Sequence, residues 1–235
     1  DHFYTMEKDG LTSIVTTNDI KVQSFLQEEL KEILPNSSFY CEENDIKDLS
    51  KDYIWIIDPI DGTTNYARGI SSCAISVALE YKGEIILGVV YNPYQNALFK
   101  AYKGNGAFLN DKRIHVSNKK FEDAILYTAF SAYDKKESSR VFDFIKTIFP
   151  LANDIRRSGS AAFEISSVGA GRGDLFFELK LNPWDYAAAS LIIKEAGGYI
   201  SSLNEDVSLV GPSMVIASNT KENLEKLKSL IKKYY

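Results

Sequence analysis

The spacing of hydrophobic and polar positions divides the chain into two kinds of stretch. Val22, Phe25, Leu26, Leu30, Ile33 and Leu34 recur at helical spacing behind the helix-start residues Thr16-Thr17-Asn18-Asp19, and Pro35 ends the pattern. Ahead of this helix, residues 8–15 read as a loop running into a short strand. Residues 38–41 form a short strand, and residues 53–57 a buried one that Pro59, with no N–H to give, stops. Strand candidates follow over residues 72–81, 85–91, 97–103, 107–109 and 113–116. Their connectors carry Gly, Asn, Asp and Pro, which predicts an antiparallel meander. Residues 117–122 are polar, and beyond them strand and helix alternate. Strand 124–130, helix 137–149 and an extended segment 154–157 come first, then a helix opened by Ser158-Gly159-Ser160-Ala161-Ala162. Strand 175–179 leads to a helix entered through Asn182-Pro183 and ended by Gly197-Gly198. Strands 199–202 and 213–217 and a C-terminal helix begun by Asn219, with Glu222 three residues on, complete the chain. The change of pattern divides it into an N-terminal part, 1–119, and a C-terminal part, 120–235.

Composition narrows the classes. A chain of 235 residues with 45% hydrophobic and 12% aromatic content is an ordinary globular protein, and no apolar run approaches the ~18 residues of a membrane span. The net charge of −5 offers no basic field for nucleic acid, so direct nucleic-acid binding is not expected. His2 and His115 alone cannot build a histidine-rich zinc site. Cys41 and Cys73 fall on predicted strands and read as buried free thiols in a reducing cytoplasm. The first residues show neither an initiator Met nor a signal peptide, and a missing N-terminal segment is expected.

The chemistry gathers at Asp58-Pro59-Ile60-Asp61-Gly62-Thr63-Thr64-Asn65, directly after a buried strand. Asp58 and Asp61 flank rigid Pro59, so their carboxylates and the Ile60 carbonyl can face one point, a pocket of hard oxygen ligands suited to a divalent cation. Gly62, Thr63 and Thr64 bring backbone N–H groups that can hold an anion beside it. This octet resembles the first signature of the inositol monophosphatase family of magnesium-dependent, lithium-sensitive phosphatases. A second match lies downstream, Trp184-Asp185-Tyr186-Ala187-Ala188-Ala189 closing with Glu195-Ala196-Gly197-Gly198, and the resemblance runs from about Lys8 to the C-terminus.

The resemblance implies a fold, a reaction and a set of residues. The fold is a five-layer α-β-α-β-α sandwich, the carbohydrate phosphatase fold, with the meander sheet first, a mixed sheet second and the site between them. The reaction is hydrolysis of a phosphate monoester, inositol 1-phosphate before fructose 1,6-bisphosphate, by a cation-activated water. Two or three Mg2+ ions are implied, with Mn2+ as a substitute and Li+ and Ca2+ as inhibitors. One ion falls to Glu42, Asp58 and the Ile60 carbonyl, and a second to Asp58, Asp61 and Asp185. Asp19 and Thr63 orient the water, with Glu42 beside them. Asp61, Gly62, Thr63, Ser160, Ala161, Glu178 and Asp185 contact the substrate, a small phosphorylated polyol or sugar. Lys8 matches a basic residue on a mobile loop of the metal site. A homodimer is common in the family, and members of its bacterial branch bind transcription or ribosomal-RNA assembly factors, a reading of another class.

Several of these residues also have plainer explanations. Asp19 and Asp185 sit where a first-turn acid suits the helix dipole, Glu42-Glu43 can be a solvated pair, and Glu178 an edge-strand surface acid. Ser160 and Ala161 are also ordinary capping chemistry. Arg156-Arg157 reads as a solvated or ion-paired patch, and Gly104-Asn105-Gly106 and Arg172-Gly173-Asp174 as turns.

Overall fold

The computed structural model describes residues 5–8, 13–43, 47–130 and 135–235. A hairpin of β1 (Thr5–Lys8) and β2 (Ser13–Thr16) precedes α1 (Thr17–Ile33), so part of the stretch read as loop is paired strand. The Lys8 side chain lies outside the described residues. β3 (Ser37–Cys41) runs parallel to β4 (Tyr53–Asp61), and α2 (Thr63–Ala67) follows directly. β5 (Ala74–Tyr81), β6 (Glu84–Asn92), β7 (Ala97–Tyr102), β8 (Gly106–Leu109) and β9 (Lys112–Ile114) extend the sheet as an antiparallel meander to seven strands in chain order.

The second sheet comes from the alternating stretch: β10 (Ile125–Thr128), α3 (Ser138–Ile148), β11 (Asp154–Arg156), α4 (Ala161–Gly169), β12 (Leu175–Leu181), α5 (Pro183–Glu195), β13 (Tyr199–Ser201), β14 (Ser213–Ser218) and α6 (Lys221–Ile231). Its order is β11-β10-β12-β14-β13, with β11, β10 and β12 parallel and the β12–β14 and β14–β13 pairs antiparallel.

Three apolar clusters define the layers. Leu26 and Leu30 of α1 pack on Trp55, Ile57, Val77 and Leu79 on the outer face of the first sheet. Phe144 and Ile148 of α3 and Leu224 and Leu227 of α6 cover Leu126, Leu175, Phe177 and Ile216 on the outer face of the second. Between the sheets, α4 and α5 are buried against Ile56, Val90 and Phe99 on one side and Phe176, Val215 and Ala217 on the other. The result is the α-β-α-β-α sandwich.

Local corrections follow from the hydrogen bonds. Pro59 does not end its strand. β4 continues to Asp61 through a register shift between Asp58 and Asp61, and a residue without an N–H is tolerated at such a bulge. In α1, Phe25 and Ile33 point to solvent, because the inward stripe is Asp19, Gln23, Leu26 and Leu30 and begins with two buried polar residues. α6 is capped by Thr220, whose hydroxyl accepts the Asn223 N–H at 3.1 Å, whereas Asn219 donates to Ser117 Oγ and the Lys119 carbonyl. The Asp174 carboxylate accepts the Ile125 N–H at 2.8 Å and the Ser117 hydroxyl, so the Arg-Gly-Asp tripeptide is a structural turn. Cys41 and Cys73 are free and buried.

The small residues of α5 have a specific reason. A Cβ built on Gly88 of β6 would lie 2.4 Å from the Ala188 carbonyl oxygen, so helix and sheet meet backbone to backbone. Gly88→Ala should lower stability by about 1–3 kcal/mol through overpacking. Gly211→Ala, where a Cβ meets nothing within 4 Å, should stay within about 0.5 kcal/mol of the parent. Urea unfolding midpoints of the two variants check the contrast, and equal midpoints would contradict the contact.

Candidate active site

The acid-rich turn is shaped by its own backbone. Asp58 Oδ1 accepts the Ile60 N–H at 2.9 Å, which folds the bulge back on itself, and Asp61 ends the strand beyond it. Gly62 then adopts φ 91°, and a Cβ there would sit 2.9 Å from the Gly159 carbonyl oxygen and 3.0 Å from that of Ser72. Only glycine fits both the left-handed backbone and the space. Thr63 Oγ1 lies 3.2 Å from Asp19 Oδ1 and 3.0 Å from the Ile60 carbonyl oxygen, so one hydroxyl proton is shared between two acceptors. Asp19 is fully buried, on the inward stripe of α1.

Other elements deliver the remaining acids. β3, paired in parallel with β4, ends just before Glu42, whose N–H donates to the Ile57 carbonyl at 3.2 Å. Asp185 enters from the first turn of α5, where its Oδ2 accepts the Asn182 N–H at 2.7 Å. Ser76 stands opposite Asp58 in the β4–β5 ladder and donates to the Trp184 carbonyl at 3.1 Å, fastening the start of α5 to the strand beside the turn. Asp61 Oδ2 accepts the Ser160 hydroxyl and the Ala162 N–H, both at 2.7 Å, and so caps α4 from the other sheet. Ser160 and Ala161 are accordingly buried, with the Ser160 hydroxyl engaged by Asp61. Glu178 stands partly exposed on β12.

The electrostatics show how closely these groups are gathered. Burial, then the charges of Glu42, Asp61 and Asp185, and a hydrogen bond with Glu42 hold the Asp58 carboxyl well above the usual range. Burial, then Glu42 and Asp61, do the same to Asp185. Asp61 rises only to about 6, since the Ser160 hydroxyl and the N–H groups at the start of α4 oppose its burial. Burial, with Glu164 and Asp61 nearby, pushes Glu178 to about 8, against the pull of Arg157. Burial raises Glu164 to about 7.

The donor set suits a hard divalent cation: carboxylates and a backbone carbonyl, all oxygen, with no Lys or Arg ion-paired to Asp58, Asp61 or Asp185 among the described residues. No group of three His, Cys, Asp or Glu side chains among the described residues is already set in ligating positions. Asp58, Asp61 and Asp185 each have one oxygen engaged by a nearby N–H.

The residues that hold this arrangement are Gln23, Ser76 and Glu164, which lie outside the motifs read from the sequence, and Asn65, whose place in the octet gives no sign of its contacts. Gln23 donates to the Glu43 carbonyl at 2.9 Å and accepts the Glu43 N–H at 3.0 Å, pinning the residue after Glu42. Asn65 Nδ2 donates to the carbonyls of Ser72 and Ser158 at 2.6 and 2.7 Å, tying the turn to the second sheet's connection. Gln23 at helical spacing with Asp19, Leu26 and Leu30 was the one available signal. Arg156 pairs with Asp154 at 2.5 Å and Arg157 lies over the Phe130 ring, as a surface patch would.

The chain matches the model of the inositol monophosphatase family over residues 2–234. Among curated relatives, an inositol-1-monophosphatase of Rhizobium meliloti is 40% identical, over 81% of this chain and 72% of its own. A putative Nus factor SuhB of Neisseria meningitidis is 35% identical, over 93% and 85%. In structure, the extragenic suppressor protein suhB of Bartonella henselae superposes with a TM-score of 0.91 at 33% identity, covering 99% of this chain and 90% of that one. An IMPase/NADP phosphatase complexed with Mg2+ and phosphate superposes at 0.87 with 25% identity, covering 97% and 85%. The protein belongs to the inositol monophosphatase family.

The raised carboxyls fix the sign of the pH dependence. A carboxyl whose folded pKa exceeds its unfolded value binds more protons when folded, so its stabilising effect is full below the unfolded value and is lost as pH rises through the folded one. For buried Glu164, raised from 4.5 to about 7, the loss amounts to roughly 3 kcal/mol. Metal-free protein should therefore melt at progressively lower temperature between about pH 5 and pH 8, and Mg2+ at pH 8 should restore the melting temperature. A metal-free melting temperature that rises over this range would contradict the burial of these acids.

Proposed function

We propose that the protein is a magnesium-dependent phosphate monoester hydrolase whose preferred substrate is inositol 1-phosphate or a similar phosphorylated polyol. The observation that carries this reading is the gathering of Glu42, Asp58, Asp61 and Asp185, from the end of β3, from β4 and from the start of α5, around a turn whose next residue, Gly62, exposes backbone. The relative with bound Mg2+ and phosphate supports it.

Glu42, Asp58, the Ile60 carbonyl, Asp61 and Asp185 would hold the cations. Bound there, Mg2+ supplies Lewis-acid charge for the phosphoryl group and a lowered pKa for water. The chain's own groups do the remainder. Asp19 accepts from the Thr63 hydroxyl, which turns a Thr63 lone pair toward the attacking water and orients it. Gly62 and Thr63 present N–H groups to the phosphate oxygens. Glu178, whose carboxyl burial pushes up to about 8, offers its carboxyl oxygens to a substrate hydroxyl. Asp61 fixes α4, and Ser160 fixes Asp61.

Phosphate release from inositol 1-phosphate and fructose 1,6-bisphosphate should require Mg2+ and be suppressed by Li+, with the larger kcat/KM on the inositol ester. Asp58→Asn should reduce turnover by at least about 10^3-fold while circular dichroism stays unchanged, because it would remove a carboxylate charge from the set that would hold the cations. Retained turnover would sink the reading.

The relatives named as Nus factors support a second role, as a binding partner in transcription. Affinity capture from the native extract with wild type and Asp58→Asn separates the two. RNA polymerase subunits retained by both would establish binding independent of catalysis, and their absence from both would remove this role.

A further inference from the structure

Glu164 takes no part in the chemistry above, yet it is almost completely buried in the first turn of α4. One of its oxygens, Oε1, accepts from the Ser158 N–H at 2.5 Å, the Ser158 hydroxyl at 2.7 Å and the Gly159 N–H at 3.1 Å. The side chain thus reaches back past the start of its own helix to the turn before it. On the opposite side, Asn65 Nδ2 donates to the Ser158 carbonyl at 2.7 Å. Ser158 is therefore held at its N–H, its hydroxyl and its carbonyl.

What this turn touches gives the contact its meaning. Gly159, at φ 86°, directs its carbonyl oxygen to within 2.9 Å of the Cβ position on Gly62. Ser160, one residue on, donates to Asp61 Oδ2. Any displacement of residues 158–160 is thus transmitted to the backbone that faces the phosphate and to a cation-holding carboxylate. A buried acid costs more to keep than an apolar residue unless its acceptors are used, and here one oxygen satisfies three donors.

We propose that Glu164 is a positioning residue of the hydrolase, fixing the 158–160 turn and, through it, Gly62 and Asp61. The assignment rests on the phosphatase reading of the site. Its role is that of an acceptor rather than of a charge, so an amide oxygen in the same place should substitute.

The test uses the full chain with Mg2+ and inositol 1-phosphate, comparing wild type, Glu164→Gln and Glu164→Ala. Glu164→Ala should lower kcat and raise the Mg2+ concentration for half-maximal rate, each by about tenfold or more, while KM for the ester changes by less than about threefold. Glu164→Gln should recover most of both losses. Wild-type kcat and Mg2+ dependence in Glu164→Ala would overturn the proposal, as would a Gln variant no better than the Ala one. Should Glu164→Ala fail to fold, Ser158→Ala, which removes one of the three donors, should shift the same two parameters in the same direction, and no shift would overturn the proposal. If wild type releases no phosphate from either ester, the phosphatase reading fails on its own. Calorimetric Mg2+ binding then decides the role of Glu164, with weaker binding in the Ala variant supporting it and equal binding overturning it.

Discussion

The structure depends on holding like charges together. Glu42, Asp61 and Asp185 all raise the proton affinity of Asp58, Glu42 and Asp61 raise that of Asp185, and left in water these acids would stay apart. Each is therefore placed at the end of a rigid element: β3, the bulge of β4, the end of β4 and the first turn of α5. Repulsion that would spread mobile side chains is resisted by sheet pairing on one side and by a helix buried between two sheets on the other. A divalent cation placed among them would relieve this repulsion, so on the proposed reading the charge that strains the folded chain would also give it affinity for the ion.

The polar contacts around the acids serve that end in two ways. Some hold an acid directly, as the start of α4 holds Asp61 and Asn182 holds Asp185. Others hold the elements, as Ser76 fastens the start of α5 and Gln23 the segment after Glu42. Asn65 and Glu164 meet at Ser158 from the two sides of the molecule, so the connection between the sheets is made at the site itself.

The parts legible in the sequence were those whose meaning is local. Asp58 to Asn65 is a run in which a bulge, two acids, a left-handed glycine and a hydroxyl fall within one turn, and the structure builds it from those same residues. The meander and the alternating strands and helices were readable because each follows from period and turn residues. Gln23 and Ser76 were not, because each acts through backbone groups of a segment that only folding brings near, and Glu164 was not, because its reach back over five and six residues follows from the shape of the turn before α4. Phe25 and Ile33 misled for the related reason that periodicity cannot say which face of a helix meets the sheet. Pro59 was read as a terminator because a missing N–H matters only where the ladder needs one, and at a bulge it does not.

The contact of Ala188 with Gly88 has a mechanical consequence. Side chains at a helix–sheet interface are springs that compress and change rotamer, whereas two backbones in contact act as a hard stop. The helix that carries Asp185 rests on such a stop, so the gap between Asp185 and the turn after β4 is set by atomic radii and not by the balance of side-chain packing. Warming slackens packing gradually but leaves a stop where it is. The width of the site should therefore stay constant up to the temperature at which the first sheet itself comes apart, and ion affinity should be lost in one step with the fold rather than fade ahead of it.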